Sequence, residues 1–191
     1  MRMNAWLLGT AVLGLVATLS SGAHATLTVN GDFETGNFSG WMQGGNTGST
    51  YIATSGFDGY TPHGGSYFAA LGPVGSDGTL SQTVHDVAGQ TLSVSFYLAS
   101  DGRRANDFSA SFDGTSLMHL VNAGAQGFTL YSYDVTGTGT DTLQFGFRND
   151  PGYLALDDVA VSPAAVPEPA SLALLGTGLL GLGLVCRRRN A

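Results

Sequence analysis

The chain has 191 residues with seven basic and fourteen acidic side chains, a formal net charge of −7, and one cysteine. Four of the seven basic residues, Arg2, Arg187, Arg188 and Arg189, sit near the termini. Thirteen carboxylates therefore face only Arg103, Arg104 and Arg148 in between, with no lysine anywhere. Such an acidic middle excludes nucleic acid and anionic membrane surfaces as partners, and a lone Cys186 excludes a disulfide framework.

The first segment reads as an export signal. Arg2 opens a positive region, Trp6 to Leu19 is apolar, and Ala23-His24-Ala25 fits the small-x-small cleavage rule, so residues 1–25 are expected to be a removed signal peptide.

Residues 26–162 are expected to form one domain, all-β and antiparallel. Leu92, Val94, Phe96 and Leu98 alternate with Ser93, Ser95, Tyr97 and Ala99; Phe108, Ala110 and Phe112 alternate with serines. Leu143, Phe145 and Phe147 continue the period of two that marks half-buried strands, and a last strand is predicted over Tyr153 to Val161. Asn30-Gly31, Asp58-Gly59, Asp77-Gly78, Asp101-Gly102 and Asp113-Gly114 punctuate the runs as tight turns. Eight to ten such strands imply a β-sandwich or jelly roll.

Ser162 to Pro167 breaks the strand pattern, and residues 163–169 are assigned as an extended linker. Residues 170–191 then hold an uncharged run from Leu172 to Val185, a candidate transmembrane helix of about 15 residues or roughly 23 Å. Arg187-Arg188-Arg189 closes it, which orients the helix with the arginines in the cytoplasm and the domain outside.

The order Pro167-Glu168-Pro169, apolar helix and Arg187-Arg188-Arg189 resembles a PEP-CTERM sorting signal, the tail read by exosortase enzymes. The resemblance implies anchoring in the inner membrane, cleavage near Pro-Glu-Pro, and release or attachment at the cell surface. A second resemblance spans the domain. Asn30-Gly31-Asp32-Phe33-Glu34 with Gly40-Trp41, His63-Gly64-Gly65-Ser66-Tyr67, Leu80 to Val84, and Leu156-Asp157-Asp158-Val159 are similar to galactose-binding-like jelly rolls that include carbohydrate-binding modules. That family implies a structural calcium joining Glu34 to Asp157, with Asp158 as the less favoured neighbour. The chemistry agrees: calcium takes six to eight hard oxygens, which Asp32, Glu34, backbone carbonyls and one distant carboxylate can supply.

Sugars stack on exposed rings beside polar side chains, and Tyr51, Phe57, Tyr60 and Tyr97 qualify as such rings. Tyr97 lies on the serine face of its strand, and Arg103, Arg104, Asn106 and Asp107 follow in the one basic, amide-rich loop, so these five residues form the predicted ligand site. The competing reading packs Tyr97 under a loop and uses the arginines to neutralise Asp101 and Asp107. Trp41 is expected in the core with Phe33. No nucleophile elbow or paired metal histidines are present, so no enzyme is expected. The function implied is a noncatalytic sandwich associating with exopolysaccharide. The alternatives are a structural or adhesive surface protein, and then a glycan hydrolase or lyase.

Overall fold

The computed structural model describes residues 25–164. The expected signal peptide and membrane helix, with the Pro-Glu-Pro motif and the terminal arginines, lie outside the described residues.

Ten strands occur in chain order: β1 Met42–Gly45, β2 Thr50–Thr54, β3 Tyr67–Leu71, β4 Gly78–His85 and β5 Thr91–Ser100 in the first half. β6 Asn106–Phe112, β7 Thr115–Val121, β8 Gln126–Thr136, β9 Thr140–Asn149 and β10 Leu154–Pro163 follow. They form two five-stranded sheets, ordered β1-β4-β9-β6-β7 and β2-β3-β10-β5-β8. All strand pairs are antiparallel, as the alternating pattern demands. The one helical piece among the described residues is a 3-10 turn, Phe57–Gly59.

The sheets pack through the residues whose alternation marked them. Leu92, Val94, Phe96 and Leu98 from β5 meet Leu143, Phe145 and Phe147 from β9 and Phe108 and Phe112 from β6, all buried. Phe96 and Phe145 cross edge to face at 5.1 Å between centroids. Burying a side chain of this size contributes roughly 2–3 kcal/mol. Trp41 joins this core against Phe33 at 5.8 Å, and its indole N–H donates to the Asn30 carbonyl at 2.9 Å.

The opening segment of the domain pairs with β10, and the end of β10 with β5. Leu27 N–H donates to the Val161 carbonyl at 2.6 Å, Val159 N–H to the Gly31 carbonyl at 2.8 Å, and Ala164 N–H to the Thr91 carbonyl at 2.9 Å. Gly31 runs so close to the last strand that a β-carbon there would fall on the Val159 carbonyl, which explains the glycine of the opening motif. The last strand therefore extends beyond the predicted end: Ser162 and Pro163 pair with Ser93 and Leu92. Proline is accommodated because it ends its strand, where a missing N–H costs least.

The outer faces of the two sheets differ. On the second sheet Ala53, Ala70, Ala99 and Ala155 form a fully covered floor beneath Phe57, Tyr60, Phe128 and Tyr153, a second small core under the segment between β2 and β3. The first sheet instead presents Thr83, Thr142 and Gln144 to solvent, with Ser81, Ser109 and Ser111 half-buried beside them. Both cores, and the pairing of the opening segment with β10, lie within residues 25–164, so the domain contains the contacts it needs to fold alone.

Candidate functional site

The loop after β5 is built around Asp101. One oxygen of its carboxylate accepts Arg103 N–H at 2.8 Å and the Asn149 amide at 3.1 Å, and the other accepts Tyr153 N–H at 3.0 Å. This hub fixes Arg103, whose guanidinium reaches Asp58 at 3.2 Å and Asp101 at 3.4 Å while remaining about half exposed (54%). Arg104 is exposed in the same loop.

The other predicted ligand residues are dispersed. Asn106 is buried, and its amide clamps the loop by donating to the Arg103 carbonyl at 2.7 Å and the Ala123 carbonyl at 2.9 Å. Asp107 lies on the first sheet and pairs with His119 at 2.9 Å. Tyr97 lies on the outer face of the second sheet, stacked under the His63 ring at 3.4 Å between centroids. The five residues thus do not share one surface: Tyr97 is covered and Asn106 is structural, leaving Arg103 and Arg104 at the loop surface.

A different set of rings converges on Arg103. Phe57 packs edge to face on Tyr153 at 4.9 Å, and Tyr51 completes the group at 6.1 Å from Phe57 and 6.2 Å from Tyr153. Tyr51 is 46% exposed, the largest exposure of any aromatic ring among the described residues. The 3-10 turn that carries Phe57 also carries Asp58, so the ion pair with Arg103 sits against the rings. Burial pushes the Tyr153 and Tyr60 phenols upward, and the Asp101 and Asp58 charges add to the effect at Tyr60. Tyr60 donates to the Tyr153 carbonyl at 2.8 Å, which locks the turn onto β10. The composition pointed to Tyr51 and Phe57, but nothing in it pointed to Tyr153 or to Asp58.

The acidic residues at the two ends of the chain meet at the segment from His63 to Tyr67. His63 and Gly64 N–H groups donate to one oxygen of Asp157 at 2.8 and 3.3 Å, while Ser66 and Tyr67 N–H groups donate to Glu34 Oε1 at 2.7 and 2.8 Å. Asp157 is fully buried at a bulge in β10. Burial pushes its carboxyl up to about 6, the neighbouring Asp158 charge adds to the rise, and the N–H donors oppose it. Asp158 turns away to His63 Nδ1 at 2.5 Å. Asp32, placed with Glu34 and Asp157 in the predicted metal set, instead lines a shallow hollow with Asp158, Asn30 and Val159. Among the described residues no three His, Cys, Asp or Glu side chains cluster as a metal site.

Residues 165–189 match the PEP-CTERM protein-sorting motif. No curated protein matches the chain. Among solved structures, the domain is similar to the module TmCBM61, seen in complex with β-1,4-galactotriose, at TM-score 0.58 and 18% identity over 73% of this chain and 99% of that one. It is similar to the CBM22-1 xylan-binding domain of Paenibacillus barcinonensis Xyn10C at TM-score 0.52 and 14% identity, covering 77% and 99%. The K3 adhesin domain of Lys-gingipain from Porphyromonas gingivalis also matches, at TM-score 0.52 and 18% identity over 70% and 98%. Among the described residues no helix is long and apolar enough to cross a membrane. The chain carries a PEP-CTERM sorting motif at its end, and the domain ahead of it is an antiparallel two-sheet sandwich with the fold of carbohydrate-binding modules.

Proposed function

We propose that the protein is exported, anchored by its tail, processed at Pro167-Glu168-Pro169 by an exosortase-type enzyme, and displayed outside the cytoplasm as a noncatalytic module that associates with exopolysaccharide. The observation that carries the glycan reading is the platform of Tyr51, Phe57 and Tyr153 beside the Asp58–Arg103 pair. A sugar stacks its C–H face on such rings while a carboxylate and a guanidinium bind its hydroxyls. The fold is shared with a module seen in complex with β-1,4-galactotriose and with a xylan-binding domain, which supports the reading without naming the sugar. Binding of residues 26–164 to a polysaccharide array tests it; saturable binding lost in Tyr51→Ala is expected, and a folded domain that binds no glycan refutes it.

Calcium belongs to the same proposal. Among the described residues no arginine or lysine lies against Asp157, Glu34 Oε2 accepts no hydrogen bond, and Asp157 Oδ1 accepts only one, from Asp158 N–H. These two carboxylates, with backbone carbonyls, would hold the ion, whose charge would offset the buried Asp157. An adhesive role is the second reading, favoured by the likeness to the gingipain adhesin domain and by β8, an eleven-residue edge strand with Asp134 as its one charge.

A further inference from the structure

The distance between the sandwich and its sorting motif limits how any enzyme can approach the tail. Ala164 is held to Thr91 by a 2.9 Å hydrogen bond, and Pro167 is only three residues further on, about 10 Å at full extension. An enzyme that grips Pro167-Glu168-Pro169 in a cleft must therefore bring its rim against the end of the domain from which the chain leaves.

That end is a defined surface. Thr91 begins β5, and the turn before it, Asp86 to Gln90, interlocks with the connection between β8 and β9: Gly89 N–H donates to the Gly137 carbonyl at 2.8 Å, Gly137 N–H to the Gln90 carbonyl at 2.8 Å, and Gly139 N–H to Asp86 at 2.7 Å. Val87 projects from the turn, 66% exposed. The β6–β7 turn at Asp113 joins this end through a 2.8 Å bond from its N–H to the Thr142 carbonyl. Its exposed charged side chains are Asp113 and Asp134, with His85 alongside, while Asp86 is half-buried and Asp141 fully buried beneath them; the three arginines of the domain lie at the opposite end, two between β5 and β6 and one near the end of β9.

We propose that this pole, with Val87 at its tip and Asp113 and Asp134 around it, docks the processing enzyme, and that the enzyme meets it with a basic rim. The proposal rests on the sorting reading above. The partner follows from the length of chain between the last sheet hydrogen bond and the motif, and its sign from the two exposed carboxylates of the pole, Asp113 and Asp134, with no arginine near them.

The test follows processing of the full chain by pulse labelling in cells that contain the processing enzyme. The pole variant carries Val87→Arg, Asp113→Asn and Asp134→Asn, all exposed positions, with asparagine retained at the left-handed φ of Asp113. A companion chain adds about ten Gly/Ser residues after Ala164, roughly 17 Å of average reach, so that the tail can enter the enzyme without the pole touching it. Processing of the pole variant should slow roughly fivefold at native spacing, because Val87→Arg and the two lost carboxylates make the forced contact with a basic rim repulsive, and the slowing should vanish with the insertion, where the pole no longer meets the rim. An unchanged rate at native spacing overturns the docking surface, as does equal slowing with and without the insertion, which marks a folding or export defect. Replacing Pro167-Glu168-Pro169 by alanines separates the two claims: a processed alanine chain overturns the sorting reading and the docking with it, whereas a blocked alanine chain with an indifferent pole variant overturns the docking alone.

Discussion

The imidazole of His63 lies flat on the phenol of Tyr97, with centroids 3.4 Å apart and planes inclined by 18°, while its Nδ1 meets Asp158 Oδ2 at 2.5 Å. One side chain thus ties the segment before β3 to both β5 and β10. Tyr97 cannot serve as a sugar platform while the imidazole occupies its face. His63→Ala should destabilise the domain by about 1 kcal/mol, the scale of one stacked pair. Urea unfolding measures the loss, and glycan binding should be retained in the folded variant.

Binding should respond instead at the ring platform. Tyr51→Ala removes its most exposed ring and should weaken glycan binding about tenfold or more, as expected for an aromatic anchor, with little effect on melting. Phe57→Ala is expected to weaken binding and also to loosen the turn, because Phe57 packs on Tyr153 at 4.9 Å. Arg103→Ala should reduce binding while changing stability by less than about 1 kcal/mol, since its ion pair is half exposed. Titration calorimetry with a glycan selected on the array separates these effects.

The strands were legible because alternation is a local signal. Leu92 to Leu98 and Leu143 to Phe147 need only their neighbours to declare which face is buried, and Trp41 with Phe33 in the core follows from the opening motif. The site was legible only in part. Tyr51 and Tyr153 are far apart in the chain and meet because β3 lies between β2 and β10, a nonlocal order that composition does not encode. Asn106 looked like a ligand because amides in loops often are, but its partners, the carbonyls of Arg103 and Ala123, are supplied by the fold. The strand end was less legible: β10 closes on Pro163, because proline marks a strand end as readily as a linker.

Asp157 gives the calcium proposal a pH signature. Its carboxyl rises from an ordinary 3.8 to about 6 in the folded domain, chiefly through burial, so the folded state holds the proton more tightly than the unfolded state. Its stabilising contribution is then complete below about pH 4 and is lost as pH rises through 6, a cost of ~3 kcal/mol at neutral pH. In chelator, Asp157→Asn should remove this loss and melt higher than the wild type at pH 7.5 but not at pH 4. Saturating calcium should raise the melting temperature of the wild type at pH 7.5 and leave Asp157→Asn unmoved. A wild-type domain indifferent to calcium would remove the ion from the proposal.

Asp86 and Asp141 form a second acidic pair whose two members behave oppositely. Asp141 is fully buried, which would raise its carboxyl, but the Thr138 hydroxyl at 2.6 Å, the Thr138 N–H at 2.8 Å and Asp86 together hold it below the usual range. Asp86 is raised by burial and then by Asp141, with Gly139 N–H opposing at 2.7 Å. Its Oδ2 is buried and finds no donor, and the charge of Asp141 beside it favours the protonated form. Asp86→Asn keeps a donor at that position and should stay within about 1 kcal/mol of the wild type, whereas Asp141→Ala strands Asp86 and both Thr138 groups and should cost about 3 kcal/mol. The pH dependence has two sides. Asp86 contributes at low pH and its contribution is lost as pH rises through its folded pKa; Asp141 contributes above the ordinary carboxylate range and its contribution is lost as pH falls through its folded pKa. Comparing denaturant midpoints across pH for wild type and Asp86→Asn should therefore show the alkaline loss reduced in the variant while the acid loss persists. Equal alkaline losses in both proteins would show that Asp86 is not the raised carboxyl of the pair.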